Sequence, residues 1–336
     1  MRILFAGSPA IAVPSLKLLS DMELAGYGTV LAGVLTNPDS IRGRHGHAEP
    51  TDVSAAAVEL DAIRKEKGLA PIPQLKPEKL DGQARKEVCS LAANLLVSFA
   101  YGRIFGPRFL ALFPLGGINI HPSLLPKYRG ASPIPAVILA REKETGICIQ
   151  KLAAQMDAGD ILAEDRFELT GRETTATLCE TAGTKAALLL RELVQGFVWD
   201  FNQRIARVRP QKGEAVYCRE IKKEEGAIDW GKSAPEIDAQ IRAYTPWPLS
   251  FTRLGSDTLF ILDARPLEPS AGRAIAGGSS ASASPGTVLG TEEEGILVQT
   301  GDGILVVTRL QWQAKKALDW KSFCNGARNF IGAKLG

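Results

Sequence analysis

The sequence predicts an α/β protein in which a mainly parallel open sheet is followed by a smaller, β-rich domain. Short apolar runs alternate with helical patterns up to about residue 200, which is typical of βαβ units. A basic, proline-containing segment, 202–214, follows, and beyond it short β-rich runs are separated by glycine and proline. The chain of 336 residues has room for two such domains of ordinary size.

Each predicted element of the first region is a run whose periodicity matches its type. The strands are apolar runs that end at breakers or polar residues, at 2–6, 30–35, 94–99 and 118–120. The helices repeat apolar residues at helical spacing, at 12–24, 52–67, 83–92, 132–140 and 175–198. A hairpin-like pair covers 146–168, and the residues after 120 form a loop through 130.

The second region is predicted to be a small barrel or sandwich. Its predicted strands are short and β-rich, at 251–254, 258–262, 287–289, 295–300 and 303–310. Residues 270–286 are low in complexity and are predicted to form a loop inside this domain. We therefore predict a first domain at 1–201, a basic linker at 202–214 and a second domain at 215–336.

Composition excludes several protein classes. Hydrophobic residues make up 45% and charged residues 23% of the chain, which is typical of a soluble globular protein. The five cysteines form no C-x-x-C pair, so we expect reduced thiols and no zinc site. No apolar run is long enough to span a membrane, and the first residues, MRILFAGSP, do not form a signal peptide. We expect a cytoplasmic protein.

The net charge of +3 is confined to the 202–214 segment, where Arg204, Arg207, Arg209 and Lys212 are opposed only by Glu214. A basic segment on an otherwise balanced chain can bind phosphate, because each neutralised phosphate releases a counterion. A solvated linker explains the charge equally well.

Two glycine motifs resemble nucleotide-binding loops but lack the right context. Residues 7–11, GSPAI, follow the first strand but do not form G-x-G-x-x-G, so we do not expect a bound nicotinamide dinucleotide. Residues 226–233, GAIDWGKS, match the P-loop pattern, but charged residues precede them where a strand is required. We interpret them as a turn before a helix at 234–243.

His121 lies at the end of a predicted strand, the edge at which open α/β sheets bind ligands. Asn119 projects from the same face, since residues two apart on a strand do so. An amide and an imidazole side by side can stabilise an oxyanion and move a proton, and Asp157 is the best-placed carboxylate to orient the ring. A Ser123–His121–Asp157 hydrolase and a purely structural histidine remain alternatives. The other histidines, His45 and His47, are predicted to face solvent or nucleic acid.

Long segments around these residues resemble the folate-dependent formyltransferases. The segments are AGSP near the start, GGINIHPSLLPKYRGASPI and TGICIQKLAAQMDAGDIL. Four later segments, YCREIKKEEGAIDW, IRAYTPWPLSF, SPGTVL and TGDGILVV, resemble the second domain of the family members that act on tRNA. The resemblance covers residues 2 to about 330. It also places the P-loop match inside the second domain as a connecting segment.

The resemblance implies a Rossmann-like sheet with helices on both faces and an OB-like C-terminal barrel that helps to hold tRNA. It implies 10-formyltetrahydrofolate as donor, the α-amino group of methionine on initiator methionyl-tRNA as acceptor, and no metal. We expect a monomer that does not bind membranes.

Carried over by position, the roles fall on three groups of residues. Asn119, a protonated His121 and Asp157 are expected to be catalytic. The folate contacts are Ser123, Leu124, Leu125 and Pro126. The expected tRNA contacts are Arg42, Arg44, Arg207, Arg209 and Lys212.

One departure from the family concerns the tRNA-reading loop, SIRGRHGHAEPTD. His45 and His47 replace lysines that are usual there, so we expect this loop to bind the tRNA acceptor stem with a different strength. The rival hypotheses are a formyltransferase with a sugar-nucleotide acceptor and a non-enzymatic module that binds tRNA or folate.

Overall fold

The computed structural model describes residues 1–41, 46–206, 208–267, 283–327 and 329–336. Backbone contacts divide the chain into two compact units, which are described separately. Unit 1 comprises Met1–Pro133, Glu144–Glu168 and Cys179–Arg219, and unit 2 comprises Ile134–Lys143, Leu169–Leu178 and Glu220–Gly336. The domain limits inferred from the sequence stay a prediction.

Strands and helices alternate through the first 219 residues. The strands are β1 (Arg2–Gly7), β2 (Val30–Leu35), β3 (Ser40–Ile41), β4 (Ala48–Glu49), β5 (Gln74–Leu75), β6 (Leu95–Phe99), β7 (Gly117–His121), β8 (Arg129–Gly130), β9 (Glu144–Lys151), β10 (Ile161–Glu168) and β11 (Tyr217–Cys218). The helices are α1 (Val13–Leu24), α2 (Asp52–Glu66), α3 (Gly82–Ser90), α4 (Pro107–Leu110), α5 (Pro133–Leu139) and α6 (Thr175–Ala206).

Seven of these strands form one sheet in the order β10-β9-β7-β6-β1-β2-β5. The pairs from β7 to β5 are parallel, whereas β9 is antiparallel to both of its neighbours. The mainly parallel sheet and the 146–168 hairpin are thus confirmed. Because β1, β2, β6 and β7 are parallel, their carboxyl ends lie along the same edge of the sheet.

Side chains on β1 show why this sheet has helices on both faces. Leu4 and Ala6 pack in a cluster with Val88 of α3 and Phe109 of α4. The alternate residues, Ile3 and Phe5, point to the opposite face and are equally buried. A strand buried on both faces has an almost continuous apolar sequence, as RILFAG does.

The C-terminal β domain is antiparallel throughout. Its elements are α7 (Ala234–Ala243), β12 (Ser250–Leu254), β13 (Asp257–Pro266), β14 (Val288–Glu292), β15 (Gly295–Gln299), β16 (Ile304–Trp312), β17 (Leu318–Asp319) and α8 (Trp320–Gly326). The sheet order is β12-β13-β16-β15-β14, with β17 beside β16. Ile237 and Ile241 of α7 pack in the same core as Ile261 and Val307 of the sheet. Most of the 270–286 segment lies outside the described residues.

The P-loop match forms a turn, as interpreted. The Asp229 carboxylate accepts the N–H of Gly231, and Ser233 begins α7 with a capping box to Glu236. Trp230 is buried, and its indole N–H donates to Thr252. The backbone N–H groups of Ile228, Gly231 and Lys232 therefore already donate to acceptors within the protein.

Several features of unit 1 differ from the predictions. The two-residue strands β3, β4 and β5 and the short helix α4 were not predicted. The loop after residue 120 contains β8, which pairs in parallel with β11. Helix α6 continues beyond residue 198 to Ala206, with non-helical dihedral angles at Asp200. The rings of Phe197 and Phe201 pack 5.0 Å apart across this break, so the apolar contact continues past it. Within the described ranges, no helix is both long and apolar enough to cross a membrane.

Candidate active site at the carboxyl edge of the sheet

Asn119 and His121 lie on β7, between parallel β6 and antiparallel β9. The alternate residues Ile118 and Ile120 are buried on the opposite face. The His121 side chain is buried, whereas Asn119 is half-buried and has access to solvent. The structure thus brings the amide and the imidazole together at the edge of the sheet. The imidazole is the more deeply buried of the two.

Asp157, in the loop between β9 and β10, faces both side chains. Its Oδ1 accepts hydrogen bonds from Asn119 Nδ2 at 3.3 Å and from Gln150 Nε2 at 2.9 Å. Its Oδ2 accepts the backbone N–H of Gly130 at 2.9 Å and lies 3.6 Å from His121 Nδ1. Asp157 has a left-handed backbone with φ +51°, which most non-glycine residues avoid. Three N–H donors therefore hold the carboxylate in a fixed direction.

The surroundings of the His121 ring favour its neutral form. Its Nε2 lies 2.8 Å from the Tyr128 carbonyl oxygen, which can only accept, so Nε2 carries the proton. Burial lowers the pKa of His121 below its ordinary value, and this outweighs the nearby Asp157 carboxylate, which raises it. The protonated ring expected from the sequence stays a prediction. The carboxylate at Nδ1 would stabilise a proton that the ring takes up during a reaction.

The turn after β7 contains the four predicted folate contacts. Leu125 is buried against Cys148 and Ile161, and the Leu125–Pro126 peptide bond is cis. Leu124 is half-buried, with its side chain against Gly146. Their contact with folate stays a prediction.

Ser123 is not placed as a nucleophile. It is buried, and its hydroxyl donates to the Lys127 carbonyl oxygen at 2.7 Å. The His121 nitrogens face Tyr128 and Asp157 instead. The geometry thus argues against the Ser–His–Asp hydrolase alternative, which requires a hydrogen bond from nucleophile to base.

Sequence reasoning missed Gln211, which reaches the site from the basic segment. Its Nε2 donates to the carbonyl oxygens of Asp157 and Gly159, both at 2.8 Å, and lies 3.2 Å from Gln150 Oε1. Its Oε1 accepts from Arg129 Nε at 3.0 Å and from Nη2 at 2.6 Å. A glutamine in an aperiodic polar segment carries no signal that would have revealed these contacts.

Family models place the chain among known proteins. The model described as "Formyl transferase" matches residues 1–192, and "Formyl transferase, C-terminal domain" matches residues 220–328. The chain belongs to the formyl transferase family. A relative from Treponema denticola named methionyl-tRNA formyltransferase is 46% identical over 98% of each chain. A relative of the same name from Borrelia recurrentis is 38% identical over 99% of each chain.

Solved structures of the formyl transferase fold resemble this chain despite low identity. WlaRD, titled a sugar 3N-formyl transferase in the presence of dTDP and 5-N-formyl-THF, has a TM-score of 0.62 and 18% identity, and covers 94% of this chain and 99% of its own. HypX from Aquifex aeolicus in complex with tetrahydrofolic acid has a TM-score of 0.60 and 15% identity. The match covers 96% of this chain and 46% of HypX, so this chain spans about half of that protein's length. At these identities the likeness concerns the fold.

The predicted tRNA contacts are only partly within the described residues. Arg42, Arg44 and Arg207 lie outside them, as does His45. Arg209 is exposed and forms an ion pair with Glu164 at 3.2 Å, and Lys212 is exposed on the same segment. Contact of these cations with tRNA stays a prediction.

The cysteines near the site are poor nucleophiles. Burial raises the pKa of Cys148 to about 12 and also raises the pKa of Cys218, so both stay thiols at neutral pH. Among the residues that the structure describes, no group of three or more His, Cys, Asp or Glu side chains could hold a metal ion.

Proposed function

We propose that this formyl transferase moves the formyl group of 10-formyltetrahydrofolate to the α-amino group of methionine on initiator methionyl-tRNA. The product is N-formylmethionyl-tRNA, which serves translation initiation. The observation that carries the proposal is the similarity, at 46% identity over 98% of both chains, to a protein named methionyl-tRNA formyltransferase. This similarity includes the C-terminal β domain as well as the candidate site.

The proposed chemistry is acyl transfer. The neutral amine attacks the formyl carbon, the C–N10 bond of the folate breaks, and N10 takes up a proton as the amine loses one. Negative charge collects on the formyl oxygen in the tetrahedral intermediate, where an amide donor such as Asn119 Nδ2 stabilises it. A neutral His121 is suited to accept the proton from the amine, and Asp157 supports the resulting charge.

The remaining assignments follow from the same proposal. Residues 1–201 form the folate and catalytic domain, 202–214 a basic linker and 215–336 the tRNA-binding domain. The folate contacts are Ser123, Leu124, Leu125 and Pro126, and the tRNA contacts are Arg42, Arg44, Arg207, Arg209 and Lys212. The enzyme acts as a monomer, without a metal, in the cytoplasm where its tRNA acceptor is charged.

A sugar-nucleotide acceptor is the nearest alternative, since WlaRD shares the fold over 94% of this chain. Transfer of a labelled formyl group to a panel of acceptors separates the two. The panel contains charged initiator tRNA, charged elongator tRNA, glycinamide ribonucleotide and a dTDP-amino sugar.

We expect label on the charged initiator tRNA, little on the elongator tRNA and none on the small acceptors. Transfer to the amino sugar alone would contradict the proposal. Retention of folate or tRNA binding with no transfer to any acceptor would favour the non-enzymatic module.

A further inference from the structure

We propose that Gln211 is a positioning residue that sets the direction of the Asp157 carboxylate. The inference rests on the proposed function for its kinetic consequence, but its geometry does not depend on the identity of the acceptor. Gln211 lies in the basic segment, far from Asp157 in sequence, and it belongs to the same compact unit.

The loop between β9 and β10, which carries Asp157, has a sharply bent backbone. Asp157 has a left-handed conformation, and two residues later Gly159 passes so close to Lys151 that a Cβ atom there would overlap its carbonyl oxygen. The carbonyl oxygens of Asp157 and Gly159 both accept from Gln211 Nε2. One side-chain amide thus ties together the two ends of this bend.

The other end of the Gln211 amide acts on the opposite side of the carboxylate. Gln211 Oε1 accepts two hydrogen bonds from the Arg129 guanidinium group. Arg129 directly precedes Gly130, whose N–H holds Asp157 Oδ2. Gln211 therefore links the loop that carries the carboxylate to the strand that supplies one of its hydrogen-bond donors.

Gln211 is itself held in place by the backbone next to it. Two residues earlier, the N–H and carbonyl groups of Arg209 pair with the carbonyl and N–H of Ile161, at 3.0 and 2.8 Å. Two hydrogen bonds between backbones hold the middle of the basic segment against β10. The Gln211 side chain therefore starts from a fixed backbone position, and its hydrogen bonds can hold the Asp157 loop in one conformation.

The chemistry of the position calls for an amide. The nitrogen end must donate to carbonyl oxygens, and the oxygen end must accept from a guanidinium group. Glutamate of the same length keeps the acceptor for Arg129 and loses both donors to the loop. Leucine, of similar volume, loses both the N–H donors to the loop and the oxygen acceptor for Arg129. These two substitutions separate anchoring of Arg129 from positioning of Asp157.

The test combines steady-state kinetics with a histidine titration by NMR in the full-length protein. Gln211→Leu is expected to lower kcat about 10–100-fold, because a displacement of about 1 Å at a catalytic group costs up to about 100-fold. The KM values for both substrates should stay within about two-fold. Gln211→Glu should lose as much as Gln211→Leu. Gln83→Leu, an exposed glutamine on α3 bonded to Glu87, is the matched control.

The titration reads the site without turnover. Three histidines give few signals, and His121→Gln assigns the relevant one. Asp157 and Arg129 are the charged groups that act on His121, and the carboxylate raises its pKa. A displaced carboxylate should therefore lower the pKa of His121 further in Gln211→Leu, whereas a merely structural loss of stability would leave it unchanged. Gln211→Glu adds a negative charge of its own near the ring, so that variant is assessed by kcat alone.

The outcomes separate the inference from the proposed function. Wild-type kcat and an unchanged His121 titration in Gln211→Leu would overturn the inference while the function stands. Full activity of Gln211→Glu would show that anchoring Arg129 suffices, and would also overturn it. If Gln211→Leu fails to fold, the kcat of Gln211→Glu decides whether the inference stands. Failure of the wild type to formylate any charged tRNA would overturn the function, and the titration would still test the inference.

Discussion

The tip of β7 and the 208–218 segment contribute to one site in opposite ways. The tip carries Asn119 and His121 on a buried strand, where a spacing of two residues fixes which side chains project together. The segment is polar and aperiodic, yet Gln211 donates to two carbonyl oxygens in the loop that carries Asp157. The sequence pattern of a strand thus reveals the candidate catalytic side chains. A residue that orients them, such as Gln211, can come from a distant segment that has no recognisable pattern.

The largest expected effect is at the strand tip. Asn119→Ala and His121→Ala should each lower kcat about 10²–10³-fold, because each removes a group that serves the developing charge or the transferred proton. KM for the folate should change little. Initial rates of formyl transfer measure both quantities, and Gln83→Ala serves as an amide control. Near-normal turnover in both variants would refute the assignment.

The next effect concerns the bend that carries Asp157. Gly159→Ala should lower the free energy of unfolding by about 1–3 kcal/mol, because its Cβ would overlap the Lys151 carbonyl oxygen. Gly106→Ala is the control, since a Cβ there meets no atom within 4 Å. Denaturant unfolding compares the two. Equal stability of both variants would show that the bend tolerates a side chain.

The sequence was sufficient for the parts of the fold that rest on periodicity. Strands β1, β2, β6 and β7 of the parallel sheet and most helices are predicted within a few residues, because buried apolar runs are a strong local signal. Strand β5, which has only two residues, was not predicted. The two-residue pair of β8 and β11 was missed, since two residues show no periodicity. The burial that lowers the pKa of His121 has no signal in the sequence, because its depth depends on the packed structure. The left-handed turn at Asp157 likewise has no local sequence signal.

A smaller effect follows from the lowered pKa of His121. Protonation favours the unfolded chain, in which the ring has its ordinary pKa near 6.5. The stabilising contribution is therefore complete above pH 6.5 and is lost as the pH falls through 6.5 towards the lowered value. The slope for one proton is at most about 1.4 kcal/mol per pH unit. Unfolding free energies from pH 7.5 to 5 should fall more steeply in the wild type than in His121→Gln, and parallel curves would contradict this.

The smallest expected effect concerns the cations of the basic segment. Lys212→Ala should reduce the slope of log K for tRNA binding against log salt by about one unit. Arg209→Ala should reduce it less, because Glu164 already compensates the Arg209 charge at 3.2 Å. Filter binding or fluorescence titration at several salt concentrations measures both slopes. Binding that does not depend on salt would remove this segment from the tRNA interface.

The measurement that decides most directly is kcat for His121→Ala, Asp157→Asn and the double variant. If the imidazole and the carboxylate act as one unit, removal of the second partner adds little once the first is gone. We expect the double variant to lie within about three-fold of the slower single variant. A loss equal to the product of the two single losses would show that the two groups act independently.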